Sequence, residues 1–290
     1  MQVQGIQYKL TGETSRGRVS SYHHKPSPHH LGKGAKSSDV VNLKKAQRGN
    51  LIESFGDFRS KFTIGFEVEK NSLHRGAVKE YELFCGFEND GSCGYEAVTH
   101  ILPLLPQSTW RTKVFDLMHK AEKIIDDRFS PSDKRCGGHI TIAVEGLSGD
   151  DLRMAVRGNC GVILALFRKR LSNTYCGYNK RLQTISEAAY WHSKYQTALV
   201  KGNCLEFRLP SRFESVKQMM RRYELFHELV DFSINKPNGS HEVFLKGITP
   251  ILLSMYNGES EKVAEVLELA RHFRKYILKG EIHPTIAPFL

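Results

Sequence analysis

The sequence predicts an α+β fold in which an antiparallel sheet packs against helices. Apolar and polar residues alternate in three segments, 61–70 (KFTIGFEVEK), 136–146 (CGGHITIAVEG) and 203–210 (NCLEFRLP), as expected of strands with one buried face. Helical patterns lie between these segments, and the chain from residue 214 onward is helical in pattern. A chain that is strand-rich first and helix-rich last favours the α+β class.

The first strand carries the clearest alternation in the sequence. Its apolar row consists of Phe62, Ile64, Phe66 and Val68. A second strand is expected at 81–87, followed by a turn at 89–91 (Asn-Asp-Gly) and another strand near 95–102. Ser108 or Thr109 can cap a helix that runs to about residue 126.

The next strand, 136–146, is entered through two glycines. Ser148, followed by Asp150 and Asp151, is expected to cap a long helix over 153–171. The remaining predicted elements are a helix near 185–195, the strand at 203–210, and helices at 216–234, 241–255 and 260–278.

The sequence predicts a basic N-terminal arm followed by one folded domain. Residues 1–60 have low hydrophobicity and few helical or strand signals, so we expect a flexible arm there. Residues 61–290 form the domain, with a core at 61–213 and a helical C-terminal part at 214–290. The arm contains two histidine pairs, at 23–24 and 29–30, which either capture a transition metal or belong to a solvated segment; the solvated segment is favoured.

Composition narrows the class of protein. Hydrophobic residues make up 40% and charged residues 25% of the 290, which are ordinary globular values. No apolar run reaches the length of a membrane span, and the N-terminus lacks the apolar stretch of a signal peptide, so we expect a cytoplasmic protein without a membrane partner. The six cysteines form no CxxC pair and are expected to be reduced, buried thiols.

The charge balance is basic and uneven. The net charge is +11, and residues 1–60 hold ten Lys and Arg against four Asp and Glu, a net of +6. A basic balance favours anionic partners, but it does not choose among nucleic acid, nucleotide and acidic substrate.

The three alternating strands repeat one division between an apolar and a polar face. Each carries residues that bind metals or phosphate on the face opposite its apolar row: Glu67 and Glu69, then His139 and Thr141, then Glu206 and Arg208. Two Glu at i and i+2 can converge on one Mg²⁺ or bridge two. Arg208 offers a two-pronged donor to phosphate, and His139 can bind phosphate, act on a reacting group or be structural. The alternative is that these are the solvated faces of an ordinary antiparallel sheet.

Five segments, in order over about residues 62–213, resemble the amidoligase family, which comprises ATP-dependent carboxylate–amine ligases related to glutamine synthetase and glutamate–cysteine ligase. The segments are IGFEVEK, ENDGSCGYEAVTHILPL with Glu96, CGGHITIAV, RKRLSNTYCGY, and KYQTALVKGNCLEFRLP. The resemblance implies a glutamine-synthetase-like curved antiparallel sheet that binds ATP and Mg²⁺. It also implies amide-bond formation through an acyl phosphate, with amino-acid or peptide-like carboxylate and amine substrates.

The resemblance also implies roles for individual residues. His139 and Arg208 would hold nucleotide phosphate or the charge that develops on the transferred group, and Asn173 would help to bind the nucleotide. Arg170, with Asn173 and Tyr175, would form the substrate side. The Mg²⁺ ligands would be Glu67, Glu69, Glu96 and Glu206, with Asp90 as a weaker candidate.

Two other functions stay open at this point. One is a nucleic-acid-binding protein that uses the arm and the basic helices, although no recognised nucleic-acid-binding motif is present. The other is an interaction protein on a degenerate ligase fold. The arginines of the late helices are expected to form solvated faces: Arg221, Arg222, Arg271 and Arg274.

Overall fold

A computed structural model describes residues 60–74, 83–172 and 197–279 of the chain. The predicted arm up to residue 59, the predicted helix near 185–195, and Asn173 and Tyr175 lie outside the described residues.

One open, antiparallel sheet contains all seven described strands. The strands are β1 (Phe62–Lys70), β2 (Phe84–Asp90), β3 (Gly94–Thr99), β4 (Leu102–Pro103), β5 (Gly138–Val144), β6 (Ala198–Lys201) and β7 (Cys204–Phe207). Their order across the sheet is β2-β3-β1-β5-β7-β6, and β4 also pairs with β1. Strand β1 is therefore central, between β3 and β4 on one edge and β5 on the other.

The eight described helical segments complete an α+β fold. They are α1 (Thr109–Lys120), α2 (Glu122–Ile125), α3 (Gly149–Arg157), α4 (Gly161–Leu166), a 3₁₀ helix (Arg168–Ser172), α5 (Val216–Asn235), α6 (His241–Met255) and α7 (Ser260–Lys279). The predicted α+β class and the three late helices are confirmed. None of the described helices is long and apolar enough to cross a membrane.

The hydrophobic core lies between one face of the sheet and the helices. Phe66 of β1 packs edge-on against Phe213, with ring centroids 5.7 Å apart. Phe207 of β7 packs in the same way against Phe226 of α5 at 5.0 Å. The apolar rows read from the sequence thus face the helices, and the polar rows project from the other side of the sheet.

Lys70 ends β1 on the helix-covered side and is fully buried. Its ammonium group donates to the carbonyl oxygens of Ile125 (2.6 Å) and Phe213 (2.7 Å) and to the carboxylate of Asp127 (2.7 Å). Burial lowers the pKa of Lys70, and Asp127 acts against that shift. The side chain fastens the end of β1 to two neighbouring chain segments.

The strand boundaries differ from the prediction in three places. Strand β2 continues to Asp90, so the turn falls at residues 91–93. The predicted strand near 95–102 is split into β3 and β4, which pair with opposite ends of β1. Strand β6 was not predicted, because its four residues, ALVK, show no alternation.

The predicted long helix over 153–171 is wrong, because three shorter helices take its place. Ser148 caps α3 as predicted, and its side chain and that of Asp151 bond reciprocally to each other's backbone N–H. The chain then breaks at Gly158–Cys160. Gly161 starts α4 against α7, so close that a Cβ would lie 2.3 Å from the carbonyl oxygen of Ala270. The break at residues 158–160 therefore separates α3 from α4, and α4 packs directly against α7.

Candidate functional site

Three neighbouring strands bring the predicted site residues together on one face. Glu67 of β1 pairs directly with His139 of β5, and Thr141 of β5 pairs with Glu206 of β7. Directly opposed residues of an antiparallel pair project from the same face. The alternation predicted the face of each residue, and the register adds which residues meet.

This polar face is buried. The exposed fractions are 4% for Glu67, 5% for His139 and 0% for Glu206. An ordinary solvated sheet face would expose these side chains to water, so that alternative is wrong. Buried carboxylates persist only where cations or hydrogen bonds compensate the loss of hydration.

Glu67, His139 and Glu206 form the tightest group on this face. One ligand atom from each lies within 4.8 Å of the other two, and the Oε2 of Glu67 is 2.6 Å from the Nδ1 of His139. Three side chains on three adjacent strands can thus surround one small ion.

Glu69 approaches the same histidine from its other side. Its Oε1 lies 3.4 Å from the Nε2 of His139, and its Oε2 accepts a hydrogen bond of 2.5 Å from the backbone N–H of Gly137. Both ring nitrogens of His139 therefore face a carboxylate. A Cβ at Gly137 would lie 2.8 Å from the Nε2 of His139, so glycine there makes room for this side chain.

Two cations bracket the third carboxylate. Lys201 of β6 and Arg208 each form an ion pair with Glu206, one on each carboxylate oxygen. Burial lowers the pKa of Lys201; Glu67 opposes this shift, whereas Arg208 reinforces it. Positive charge is therefore held directly beside the acidic group.

Glu96 is buried at 7% exposure and lies opposite Glu69 in the β1–β3 register. It therefore shares the polar face with the other predicted metal ligands. Asp90 ends β2, and its side chain lies outside the described part.

The predicted substrate side is described only at Arg170. This residue lies in the 3₁₀ helix, and its Nη1 donates to the carbonyl oxygen of Cys136 at 2.9 Å. Cys136 precedes Gly137, so Arg170 supports the segment that holds Glu69. Its two predicted companions, Asn173 and Tyr175, lie outside the described residues.

Lys201 is a site residue that the sequence argument missed. The Gly202-Asn203 pair is a sequence signal for a hairpin turn here, and Gly202 has φ 57°. This turn places Lys201 opposite Cys204 and Leu199 opposite Glu206. Lys201 then lies on the face of Glu206.

The donor set fits a hard divalent cation. Carboxylate oxygens are the ligands that Mg²⁺ and Mn²⁺ prefer, and one imidazole is compatible with Mn²⁺ in particular. Within the described part, the polar face carries more carboxylates than cations, which favours a positive ligand. Comparison of the chain with known protein families and with curated proteins gives no match.

Proposed function

We propose that the chain is an ATP- and Mg²⁺-dependent carboxylate–amine ligase on a glutamine-synthetase-like sheet. The observation that carries the proposal is the convergence of Glu67, His139 and Glu206 within 4.8 Å on a buried face. Two cations, Lys201 and Arg208, lie beside that group. Adjacent metal ligands and phosphate-binding cations are two of the requirements of phosphoryl transfer from ATP.

The three grouped side chains are assigned to the metal. Glu67 and Glu206 supply oxygens, and His139 supplies a nitrogen, which moves His139 from the predicted phosphate-binding role to the metal group. Glu69 orients His139 from the other ring nitrogen, and Glu96 lies next to Glu69 across the strand pair. Bound Mg²⁺ would neutralise triphosphate oxygens and the transferred phosphoryl group.

Arg208 and Lys201 are assigned to the anionic part of the reaction. Each is paired with Glu206, and each can exchange that carboxylate for a phosphate oxygen when nucleotide enters. The guanidinium of Arg208 suits two oxygens of one phosphate. The buried face also keeps water from a substrate acyl phosphate until an amine attacks it.

The same geometry supports the resemblance to amidoligases without identifying the substrates. The proposed donors are amino-acid or peptide-like carboxylates, and the acceptors are amines. Neither the donor nor the acceptor contacts are fixed by the polar face, so a substrate screen is part of the test.

The first test is ligand-dependent thermal stability. With ATP and Mg²⁺ in about hundredfold excess over the dissociation constant, binding should stabilise the native state by about 2.7 kcal/mol and raise the melting temperature by several degrees. The double variant Glu67→Gln/Glu206→Gln should lose the shift. Glu261→Gln, at an exposed position on α7, should keep it, and a parallel series with Mn²⁺ tests the imidazole ligand.

The second test is phosphate release from ATP in the presence of amino acids, peptides and polyamines. At least one carboxylate–amine combination should stimulate release, and Arg208→Gln should reduce that rate by about a hundredfold. An ATP shift without stimulated release across the screen would favour the degenerate-ligase alternative. The absence of any shift with millimolar ATP and either metal would contradict the proposal.

A further inference from the structure

A polar cavity lies on the helix-covered side of the sheet, opposite the polar face. It has a volume of about 330 Å³ and lies between the start of α5, the end of α4 and the loop that follows α6. Gly138 shows the separation from the polar face: its neighbour His139 projects into the polar group, whereas a Cβ at Gly138 would point at Arg222, 3.0 Å from its Nη1. The two sites lie on opposite sides of β5.

The charge of the cavity is entirely positive among its described lining residues. Lys217, Arg221 and Arg222 line it, and none of the lining residues in the described part is Asp or Glu. Arg221 pairs with Glu224 outside the lining. Lys217 is exposed and donates to the side chain of Asn257 at 3.1 Å, which holds its ammonium group at the mouth.

Arg222 is the deepest of the three cations. It is 1% exposed, and no carboxylate of the described residues lies within ion-pair distance of it. Its Nη1 donates to the carbonyl oxygen of Ser211, and its Nη2 donates to the Oγ of Ser211 (2.9 Å) and the carbonyl oxygen of Arg212 (3.1 Å). Its Nε has no hydrogen-bond partner in the described part. Burial lowers the pKa of Arg222 to about 9.

Burial of a cation without an ion-pair partner costs several kcal/mol of desolvation, which Glu214 offsets only in part at longer range. The rings of Phe167 and Phe213, with centroids 5.0 and 4.6 Å from the guanidinium carbon, offset part of that cost. An anion in the cavity would offset more, and the Nε–H of Arg222 is a donor with no acceptor among the described residues.

Helix α5 adds a second source of positive potential. It is 20 residues long, begins at the cavity with Ser215 as its N-cap, and has no acidic residue in its first turn. The backbone N–H groups of a helix N-terminus favour an anion, and phosphate in particular.

The remaining wall is suited to an apolar body. Four residues at the ends of α4 and α6 line this side, Leu166, Phe167, Met255 and Tyr256. A volume of about 300–1,000 Å³ is typical of small-molecule pockets, so the cavity has room for more than an inorganic ion.

We propose that this cavity binds a small organic phosphate, with its phosphate group between Lys217 and Arg222 and its apolar body against Phe167 and Tyr256. The site goes beyond the proposed ligase function and does not depend on it. Its ligand needs no metal, because the cavity supplies positive charge itself.

The test is calorimetric titration of the full chain with phenyl phosphate, without divalent metal and at low salt. Phenyl phosphate should bind one to one and about tenfold more tightly than inorganic phosphate, and phenol should not bind. Benzoate, a carboxylate on the same ring, should bind more weakly than phenyl phosphate. Binding of inorganic phosphate and phenyl phosphate with equal affinity would overturn the role of the apolar wall.

Matched variants locate the site. Lys217→Gln, at an exposed position, should weaken phenyl phosphate binding about fivefold, and Arg222→Lys should weaken it about tenfold. Lys246→Gln, an exposed lysine on α6, should leave it unchanged. Glu67→Gln should also leave it unchanged, which separates this cavity from the polar face. No binding at millimolar phenyl phosphate, or equal effects of Lys217→Gln and Lys246→Gln, would refute the proposal.

Discussion

His100 is a buried imidazole at the bend between β3 and β4. It is 7% exposed, and burial lowers its pKa from 6.5 to about 4. In the unfolded chain the imidazole of His100 is protonated below about pH 6.5, whereas in the folded protein it is protonated only below about pH 4. Between those values the unfolded state binds more protons, so stability falls as the pH falls.

We therefore predict that the free energy of unfolding of His100→Gln decreases less, as the pH falls, than that of the wild type. The wild-type free energy of unfolding should fall, relative to the variant, by about 3 kcal/mol between pH 7.5 and pH 4, because a shift of one pKa unit corresponds to about 1.4 kcal/mol. Urea unfolding at several pH values measures this difference. His119→Gln, at an exposed position, controls for the loss of an imidazole. A wild-type-to-variant difference that is constant with pH would contradict the prediction.

At the residue scale, sequence alternation was enough to select Glu67, Glu69, His139 and Glu206. Periodicity also places two cations at buried positions, one on a strand and one on a helix. Lys70 continues the apolar row of Phe66 and Val68, and Arg222 falls on the buried stripe of α5 with Met219 and Phe226. The prediction of a solvated Arg222 is wrong. It followed from the charge of the side chain, whereas the helical spacing of Arg222 from Met219 and Phe226 indicates a buried position.

At the scale of elements, two helical glycines have opposite surroundings. Gly161 in α4 meets the backbone of α7, and a Cβ there would lie 2.3 Å from the carbonyl oxygen of Ala270. Gly247 in α6 is exposed, and a Cβ there would have no atom within 4 Å. The two positions have the same helix propensity, but they differ in the space available for a side chain.

Gly161→Ala should destabilise the protein by about 1–3 kcal/mol, because α4 and α7 must move apart. Gly247→Ala should stabilise it by about 0.5–1 kcal/mol, because alanine favours the helix and nothing has to move. Chemical denaturation of both variants beside the wild type gives the two values. If the two substitutions changed the free energy of unfolding in the same direction, the close contact between α4 and α7 would be contradicted.

Elements with a clear period were predictable, and elements defined by their partners were not. The strands at 61–70 and 203–210 and the three late helices follow from periodicity, with ends that shift by at most three residues. Strand β6 has only four residues, and its place is set by pairing with β7. The break of the predicted long helix had a local signal in Gly158 and Gly161, but its direction depends on contact with α7.

At the scale of the whole molecule, the basic balance is concentrated at one end. Residues 1–60 carry +6 of the net +11, and all but the last of them lie outside the described part. This excess is the basis of the nucleic-acid alternative, and a deletion can separate it from the ligase proposal.

We predict that removal of residues 1–59 lowers the salt concentration at which the protein elutes from a DNA column. Binding to phosphates releases counterions, so the slope of log K against log salt should become shallower by several units at most. A full-length variant with Lys44, Lys45 and Arg48 changed to Gln should elute between the two. Identical elution of all three proteins would exclude the arm from polyanion binding, and ATP-dependent thermal stability should be the same in each.

The fold class was accessible from the order of elements, whereas the site needed three-dimensional information. Alternation gives the face of each strand residue, but only the strand order places β1, β5 and β7 side by side. The anion cavity had no sequence signal as a whole, because its residues come from four separated segments and include a buried arginine that was read as solvated.

The entry to β5 also acts as a check on strand alignment. Gly138 admits no Cβ, because the carbonyl oxygen of Ser211 would lie 2.3 Å away, and the next residue, His139, belongs to the polar face. A slip of β5 by one residue would drive His139 into that gap and turn Ile140 toward the carboxylates. A misaligned β5 would therefore carry two penalties, a steric clash at the position of Gly138 and an apolar side chain beside the buried carboxylates. The register of β5 that places Gly138 in this narrow space is also the register that sets His139 opposite Glu67 and Thr141 opposite Glu206, so strand alignment and the geometry of the polar site depend on each other.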